Sequence, residues 1–592
     1  MVRNALAAAA IIGRESTTTG VRASITRSGA PAASVAYAAT CALVLLAPFE
    51  LSRPLVRLRW QSITNLETLI LGVLAAWLCA TAWSRKWPVW RTPLTSAWLA
   101  VLAAMGLAAA LAPAAHANAL HMTARMVVAF ALYLVAVNGV TTTERRHRVM
   151  AASVGAGVLV SLLAIFEFLQ VPVVLEWLTA FRPGATVLGS QLRAGGPLQY
   201  PTIASMCLEI TFAFGLGLLI AAVDTGRRMP AAALFGALLV IAEGIVLTLT
   251  RAGLVTMAAS LVCAGFWRGR QRGLDGAVRS IAALSIVIVA LVAASRSTQS
   301  LWLRLTTEGQ EVWYRSAIEA PPAIVFSADE RRDVPVTVTN TGRLTWDSQG
   351  DPPFFLSYHW LEPELDRVVK FDGERTAFDR PVAPGASATV RATVWPPGQP
   401  GAYRLMWDVV HEGRLWFSTE PGATRAVSRV TVVGAGGGHD TSPSASRPLP
   451  VTMERPGRLR LWRAAAAMFA EHPMLGVGPD NFRLLHGGFA GLSNPDPRVH
   501  SNNMYIEIVV GSGLAGAVAF GWLVWSTARQ LASRVREAAD GSLVANVGVV
   551  LAVVAVAVHG TVDSFLSFTP TYTLIGVTLG LAVPSASRAE GY

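Results

Sequence analysis

Several groups of residues in this 592-residue chain combine types and spacing suited to chemistry. Two are arginines at the edges of long apolar runs. Arg193 stands in Gln191-Leu192-Arg193-Ala194-Gly195-Gly196-Pro197, and Arg251 in Thr248-Leu249-Thr250-Arg251-Ala252-Gly253. A guanidinium at membrane depth costs roughly 2.5–3.5 kcal/mol, so it is paired, cavity-facing or functional. Its planar fork grips two oxygens at once, and two such forks at one depth suit a lipid diphosphate. Snorkelling to headgroups is the competing reading, and the simpler one for Arg53, Arg57 and Arg59. A third group runs from Arg458-Leu459-Arg460-Leu461-Trp462, a predicted helix ending at His472-Pro473, into the turn Gly476-Val477-Gly478-Pro479-Asp480-Asn481-Phe482. The glycines there let backbone approach a neighbour closely. A fourth is His500-Ser501-Asn502-Asn503-Met504-Tyr505-Ile506-Glu507. The spacing of His500, Asn503 and Glu507 predicts one shared helix face. A histidine neutral near pH 7 suits general-base work on a sugar hydroxyl, against the plainer reading of an interfacial residue. His559 and Asp563 read as a buried polar pair, and the intramembrane acids Glu167 and Glu243 as packing partners or relay members. There is no Asp-x-Asp, P-loop, GxSxG or zinc-type spacing, so neither a metal nor a cofactor is expected.

The elements that must position these groups follow from composition. Hydrophobic residues make up 53% of the chain and charged ones 15%, against roughly 25% charged in soluble proteins. Mean hydropathy is +0.45. Disorder, a disulfide scaffold and a cytosolic enzyme are excluded, and the chain reads as a polytopic α-helical membrane protein. Twelve apolar runs have near-spanning length: 33–49, 66–83, 94–112, 126–141, 149–170, 201–223, 230–250, 252–267, 278–295, 504–526, 545–562 and 571–587. The net charge of +12 sits in short loops and does not indicate nucleic acid. With residues 1–30 as a cytoplasmic tail, basic loops fall inside at Arg85–Arg91, Arg145–Arg148, Arg227–Arg228, Arg268–Arg272 and Arg529–Arg536. That orientation puts the segment between the membrane parts 31–295 and 504–592 outside. Within it, 321–433 alternates apolar and polar residues between turn signals, which predicts an inserted all-β, seven-strand immunoglobulin-like sandwich. Trp346, Trp360, Trp395, Trp407 and Trp416 read as its core and rim, with an aromatic sugar platform as the alternative. A Gly/Ser-rich linker, 434–455, precedes the helix and loop of 456–503.

The motifs, taken in order, resemble the O-antigen ligase and Wzy-type polymerase superfamily of bacterial envelope glycosyltransferases. Arg193 to Pro201 is similar to its Arg-x-x-G motif before a Pro and a span. Thr250-Arg251-Ala252-Gly253 is similar to its Ser/Thr-Arg-Gly/Ala turn, and Arg458 to Phe482 to its R-x-x-x-W…HP-x-x-GVGP-x-N-F segment. His500 to Glu507, followed by Gly511-Ser512-Gly513-Leu514-Ala515-Gly516, resembles its His-Asn-x-Tyr-Leu…Gly-Leu-x-Gly run. The family pattern sets His directly before Asn, whereas here Asn502 precedes Asn503 and His500 stands upstream of both. The resemblance implies a metal-independent transferase at the outer face of the bacterial inner membrane. Its donor would be a polyprenyl-diphosphate-linked glycan, and its acceptor an envelope glycolipid, glycan or protein, with membrane lipids around it. Arg193 and Arg251 would hold the diphosphate and His500 would be catalytic, with Arg458, Asn503, Tyr505, Glu507 and Asp563 in support. Ligase, polymerase and protein O-oligosaccharyltransferase share the donor motifs and differ in acceptor. A transporter is the reading from a different class, opposed by the absence of repeated, broken spans.

Overall fold

The computed structural model describes residues 30–295, 313–434, 447–448, 456–537 and 544–583, less 58–61, 86, 183–185, 189–190, 351–352, 364–366, 413–414, 420–422, 424–425 and 493–494. The 1–30 tail up to residue 29, Arg59, Lys86 and most of the 434–455 linker therefore lie outside the described residues.

Helices occupy all of the predicted apolar runs. In order they are α1 (Ala30–Leu46), α2 (Asn65–Ser84), α3 (Thr95–Ala110), α4 (His116–Gly139) and α5 (Thr143–Phe168). After a short α6 (Pro172–Leu178) come α7 (Pro201–Asp224), α8 (Arg228–Leu247), α9 (Arg251–Arg272) and α10 (Gly276–Ser295). The segment between the two membrane parts adds α11 (Arg458–Glu471) and α12 (Phe482–Ala490). The chain then closes with α13 (Met504–Glu537), α14 (Val544–His559) and α15 (Thr569–Ala582). Among the described residues, eight are long and apolar enough to cross a membrane: α2, α4, α5, α7, α8, α9, α10 and α13. Helices α1, α3 and α14 are apolar but shorter, and α15 has 14 residues.

Several predicted boundaries are corrected, the largest shift being at the end of α13, which runs to Glu537 rather than 526. Helix α4 begins at His116 rather than 126, because its first turns carry His121 and Arg125, which hydropathy counts as loop. Helix α9 runs to Arg272 rather than 267, its last turns being basic. Helix α15 starts at Thr569 and ends at Ala582, and residues 584–587 of the predicted run lie outside the described residues. Helix α7 lies at the centre, buried along nearly its whole length. It meets α14 backbone to backbone: a Cβ on Gly217 would come within 2.7 Å of Gly548 Cα. The end of the bundle bearing the basic turns is tied by Arg146, which donates to Asn546 at 2.8 Å, and by buried Arg268, which pairs with Asp224 and, at 2.8 Å, with Asp275.

Two short hairpins, β1 (Val56–Arg57) with β2 (Ser62–Ile63) and β3 (Thr186–Leu188) with β4 (Gln191–Arg193), join helices of the bundle, and the β region between α10 and α11 is built of two sheets over one core. Strands β5 (Ser316–Glu319), β7 (Arg332–Asn340) and β10 (Ser387–Val394) form one, in the order β10-β7-β5. The other contains β6 (Ala323–Ser327), β8 (Phe354–Leu361), β9 (Arg367–Lys370), β11 (Gly401–His411), β12 (Leu415–Trp416) and β13 (Ala426–Val433). Its pairing is antiparallel except where β13 runs parallel to β6. Alternate residues Val334, Val336 and Val338 of one sheet meet Leu356, Tyr358 and Trp360 of the other. The unit thus begins near Trp313 and Tyr314, both buried in this core, rather than at 321, and it has more than the seven strands predicted. Two residues of the linker, Arg447–Pro448, add strand β14 to the edge at β9. Trp346, Trp360 and Trp407 are core, as expected. Trp416 is flanked by the His359 ring at 4.5 Å and the Arg375 guanidinium at 4.7 Å, which leaves little ring face for a sugar. Trp395 is half-exposed on the rim.

Candidate functional site

The glycine-rich turn after α11 exists to meet a break in α13. Gly513 takes φ +61° and ψ −160°, which interrupts the helix. The carbonyls of Pro473 and Met474 accept the N–H groups of Leu514 and Ala515 that the break sets free, at 2.8 and 3.1 Å. Val477 N–H donates back to Val510 O at 2.9 Å. Gly476, at φ +69°, has no room for a side chain, since a Cβ there would lie 2.2 Å from Val510 O. Asn481 locks the turn by donating to Val477 O and to Ala114 O, both at 2.9 Å. Arg483 pairs with Asp480 at 2.8 Å and donates to Asn118 at 2.6 Å. The segment 472–483 is thereby clamped between α13 and the α3–α4 connection.

This clamp positions the loop before α13. Asp496, buried, receives both forks of Arg498 at 2.9 and 3.0 Å. Trp462 Nε1 donates to Ser501 O at 2.9 Å. Asn502 takes φ +55°, and Asn503 accepts the Ile506 N–H at 3.0 Å. His500 and Asn503 thus precede the helix and do not share a face of it with Glu507, contrary to the spacing argument; the cap formed by Asn503 starts the helix after them. His500 reaches Glu507 through the loop instead. Its Nδ1 lies 3.4 Å from Glu507 Oε1, an ion-pair distance without hydrogen-bond alignment, while Glu507 accepts Ser501 N–H at 2.7 Å. Burial opposes protonation of His500, but Glu507, with help from Asp480 and against Arg483, raises its pKa above the usual histidine value.

The other supporting residues are fasteners. Arg458, Asn503 and Tyr505 donate to the carbonyls of Val562, Thr561 and Ala557 at 3.1, 2.8 and 2.8 Å. Met504 N–H donates to Gly560 O at 2.8 Å. Together they fasten the start of α13 to the end of α14.

His500 lines a polar cavity of about 820 Å³ at the end of the bundle opposite the basic turns. Its walls come from the α1–α2 connection (Glu50) and the first turn of α2 (Glu67), from α4 (His121, Arg125), from Arg483 and Arg498, and from the segments beside α7 and α15. Burial pushes the Glu50 carboxyl up, despite hydrogen bonds from Thr64 and Thr569 and the Arg125 charge. A second cavity, of about 730 Å³ and mostly apolar, lies among α3, α4, α13, α14 and α15 and shares Asp480 with the first.

Arg193 and Arg251 are not on the polar cavity's lining. Arg193 ends strand β4 (Gln191–Arg193), which pairs with β3 (Thr186–Leu188). It donates to Thr248 O at 3.0 Å and Thr250 Oγ1 at 3.2 Å. Burial lowers its pKa to about 10, with Asp563 acting the other way. Arg251 opens α9 directly after its N-cap, Thr250. Glu167 fixes the loop after Arg193 by accepting Gly195 and Gly196 N–H at 3.1 and 2.9 Å, and it pairs with buried Arg182. Its role is packing support. The predicted His559–Asp563 pair proves looser than expected, at 3.9 Å, and gains a third member. Glu209 of α7 sits 2.8 Å from His559 Nδ1 and accepts Ser205 Oγ at 2.8 Å. Asp563 is held below its usual range: burial works against this, and His559, Ser564 N–H and Thr202 outweigh it.

Sequence reasoning missed Arg125, His121, Glu50, Glu67, Arg483 and Arg498. Arg125 carried a readable signal, being an arginine at the edge of an apolar run, but it fell one residue outside the predicted span. The carboxylates had none, since their meeting with α4 is a through-space event.

Residues 422–521 match a family model described as O-Antigen ligase. The matched stretch includes α11, α12, the His500 loop and the broken first half of α13. No curated protein matches the chain.

Proposed function

We propose that this member of the O-antigen ligase and Wzy-type superfamily moves a glycan from a polyprenyl-diphosphate donor to an envelope acceptor at the outer face of the bacterial inner membrane. One observation carries the reading: His500, backed by Glu507, stands on the wall of a polar cavity, lined by three arginines and three carboxylates, at the bundle end away from the basic turns. In the reaction the acceptor oxygen bonds to the anomeric carbon as that carbon's bond to the diphosphate breaks. The acceptor proton passes to His500, whose Nδ1 faces Glu507 and whose other ring nitrogen is left to receive it. The electron pair of the broken bond departs on the diphosphate, and fixed guanidinium charges offset the charge gained there. Arg193 and Arg251 are assigned that role. The apolar cavity beside the polar one suits the polyprenyl chain. Inserted between the membrane parts, the β unit is proposed to be immunoglobulin-like and to hold acceptor or glycan near the cavity.

The test is transfer from a purified polyprenyl-diphosphate glycan in detergent, with EDTA present. Wild type should transfer, and Arg193→Ala and Arg251→Ala should bind donor at least about tenfold more weakly, the scale of one lost charge-assisted hydrogen bond. Unchanged donor affinity in both would remove them from the diphosphate site. The product identifies ligase, polymerase or protein transferase. Donor crossing vesicles without transfer to any acceptor would make the chain a transporter.

A further inference from the structure

The polar cavity contains a cation that acts on Glu50 at longer range but that no described residue bonds directly. Arg483 is paired with Asp480 and bonded to Asn118, and Arg498 is gripped by Asp496. Arg125 makes no hydrogen bond or ion pair among the described residues, and its Nε is buried without a partner. Of the three carboxylates on the same lining, Asp480 holds Arg483, and the other two carry bonds to Thr64. Glu67 accepts the Thr64 N–H at 3.0 Å within a helix cap, and Glu50 accepts the Thr64 hydroxyl at 2.8 Å. Arg125 as a whole is half-buried, but an Nε–H buried without a partner is costly, and an incoming anion relieves that cost.

The ligand's place in the reaction follows from His500, on the assignment made under Proposed function. A base must lie within reach of the hydroxyl it deprotonates, so the cavity lined by His500 is where the acceptor sits. The arginines assigned to the donor, Arg193 and Arg251, lie off this lining. We infer that the acceptor is a phosphate-bearing glycan and that Arg125 is the residue that selects it, gripping the phosphate while a nearby sugar hydroxyl faces His500. Phosphate of this kind has two sources, a phosphorylated glycolipid and the diphosphate of a second polyprenyl-linked repeat.

The experiment measures binding to the full-length protein in detergent, without donor. Three probes are used: a disaccharide glycolipid phosphorylated on its sugar, the same glycolipid after phosphatase treatment, and a polyprenyl-diphosphate-linked repeat. Wild type should bind at least one phosphate-bearing probe about tenfold or more tightly than the dephosphorylated glycolipid. Arg125→Gln should erase that difference while leaving the neutral probe unchanged, and Arg125→Lys should restore part of it. Which charged probe binds tells the two sources apart. Equal binding of charged and neutral glycolipid by wild type would overturn the inference, as would equal weakening of all probes in Arg125→Gln. So would efficient transfer to a serine peptide that Arg125→Gln leaves intact. If instead Arg125→Gln raised the KM for donor alone, Arg125 would belong to the donor site and the inference would fall with the transferase reading still standing. Phosphate-selective binding in a protein that transfers nothing would leave the Arg125 site in place and sink the transferase reading.

Discussion

At the scale of single residues, the proposed chemistry rests on how Glu507 sets the basicity of His500. The carboxylate lies 3.4 Å from Nδ1 and raises the imidazole pKa, so the proton acceptor is stronger than a free histidine. A base works only when deprotonated, so activity should fall as pH drops through this raised pKa. Replacing Glu507 by Gln removes the charge and lowers the pKa. The acidic limb of the kcat/KM profile should therefore move to lower pH, with a lower plateau because the base is weaker. A profile that stays in place would assign the base elsewhere. His500→Ala should lose transfer by about 10² to 10⁴-fold while still binding donor. Tyr505→Phe is the contrasting case. It removes one hydrogen bond to Ala557 O, worth about 1 kcal/mol, and should leave the pH profile where it is.

At the scale of elements, the site depends on a backbone fit between two segments. The turn at Gly476 and the break at Gly513 occupy each other's space, and neither accepts a side chain. A Cβ on Gly513 would lie 2.3 Å from Met474 C, as one on Gly476 would collide with Val510 O. Gly476→Ala combines that clash with left-handed backbone, a penalty of about 1–3 kcal/mol before the collision is counted. It should lower the melting temperature in detergent and cut kcat, because the His500 loop is aligned by the same packing. Gly488→Ala is the control. That glycine lies in α12 with nothing within 4 Å of the added Cβ, so helix propensity should make the change neutral or slightly stabilising. Equal melting temperatures for the two variants would show that the turn does not brace the site.

At the scale of the whole molecule, the two ends of the bundle divide the work. One end is basic and tied by Arg146 and Arg268, and the other holds the cavity and the His500 loop. By the positive-inside rule, this charge asymmetry predicts that the cavity faces outward. Its check is labelling of single cysteines in a background where Cys41, Cys79, Cys207 and Cys263 are serine. Ser52→Cys, on the cavity side, should react with an impermeant maleimide in intact cells, and Arg228→Cys only after permeabilisation. The reverse pattern would put the cavity inside and remove any lipid-linked donor that waits in the outer leaflet.

Much of this organisation was readable from the amino-acid order, and the reason is physical. Hydropathy is a sum over neighbours in the chain, so apolar runs such as 201–223 and 278–295 declared helices α7 and α10 nearly to their ends. Alternation is likewise local, and it exposed strands such as β7 and β8. The loop around His500 carried its motif in consecutive residues. What the tertiary structure alone decided are the charge partners. His559 and Glu209 are 350 positions apart, and Arg483 meets Asn118 across 365. Arg125 reads as span edge until α4 begins ten residues earlier than its hydropathy and lays it on the cavity wall. A polar group's fate in a low-dielectric interior is set by whatever lies a few ångströms away, and only the packed helices determine which groups those are.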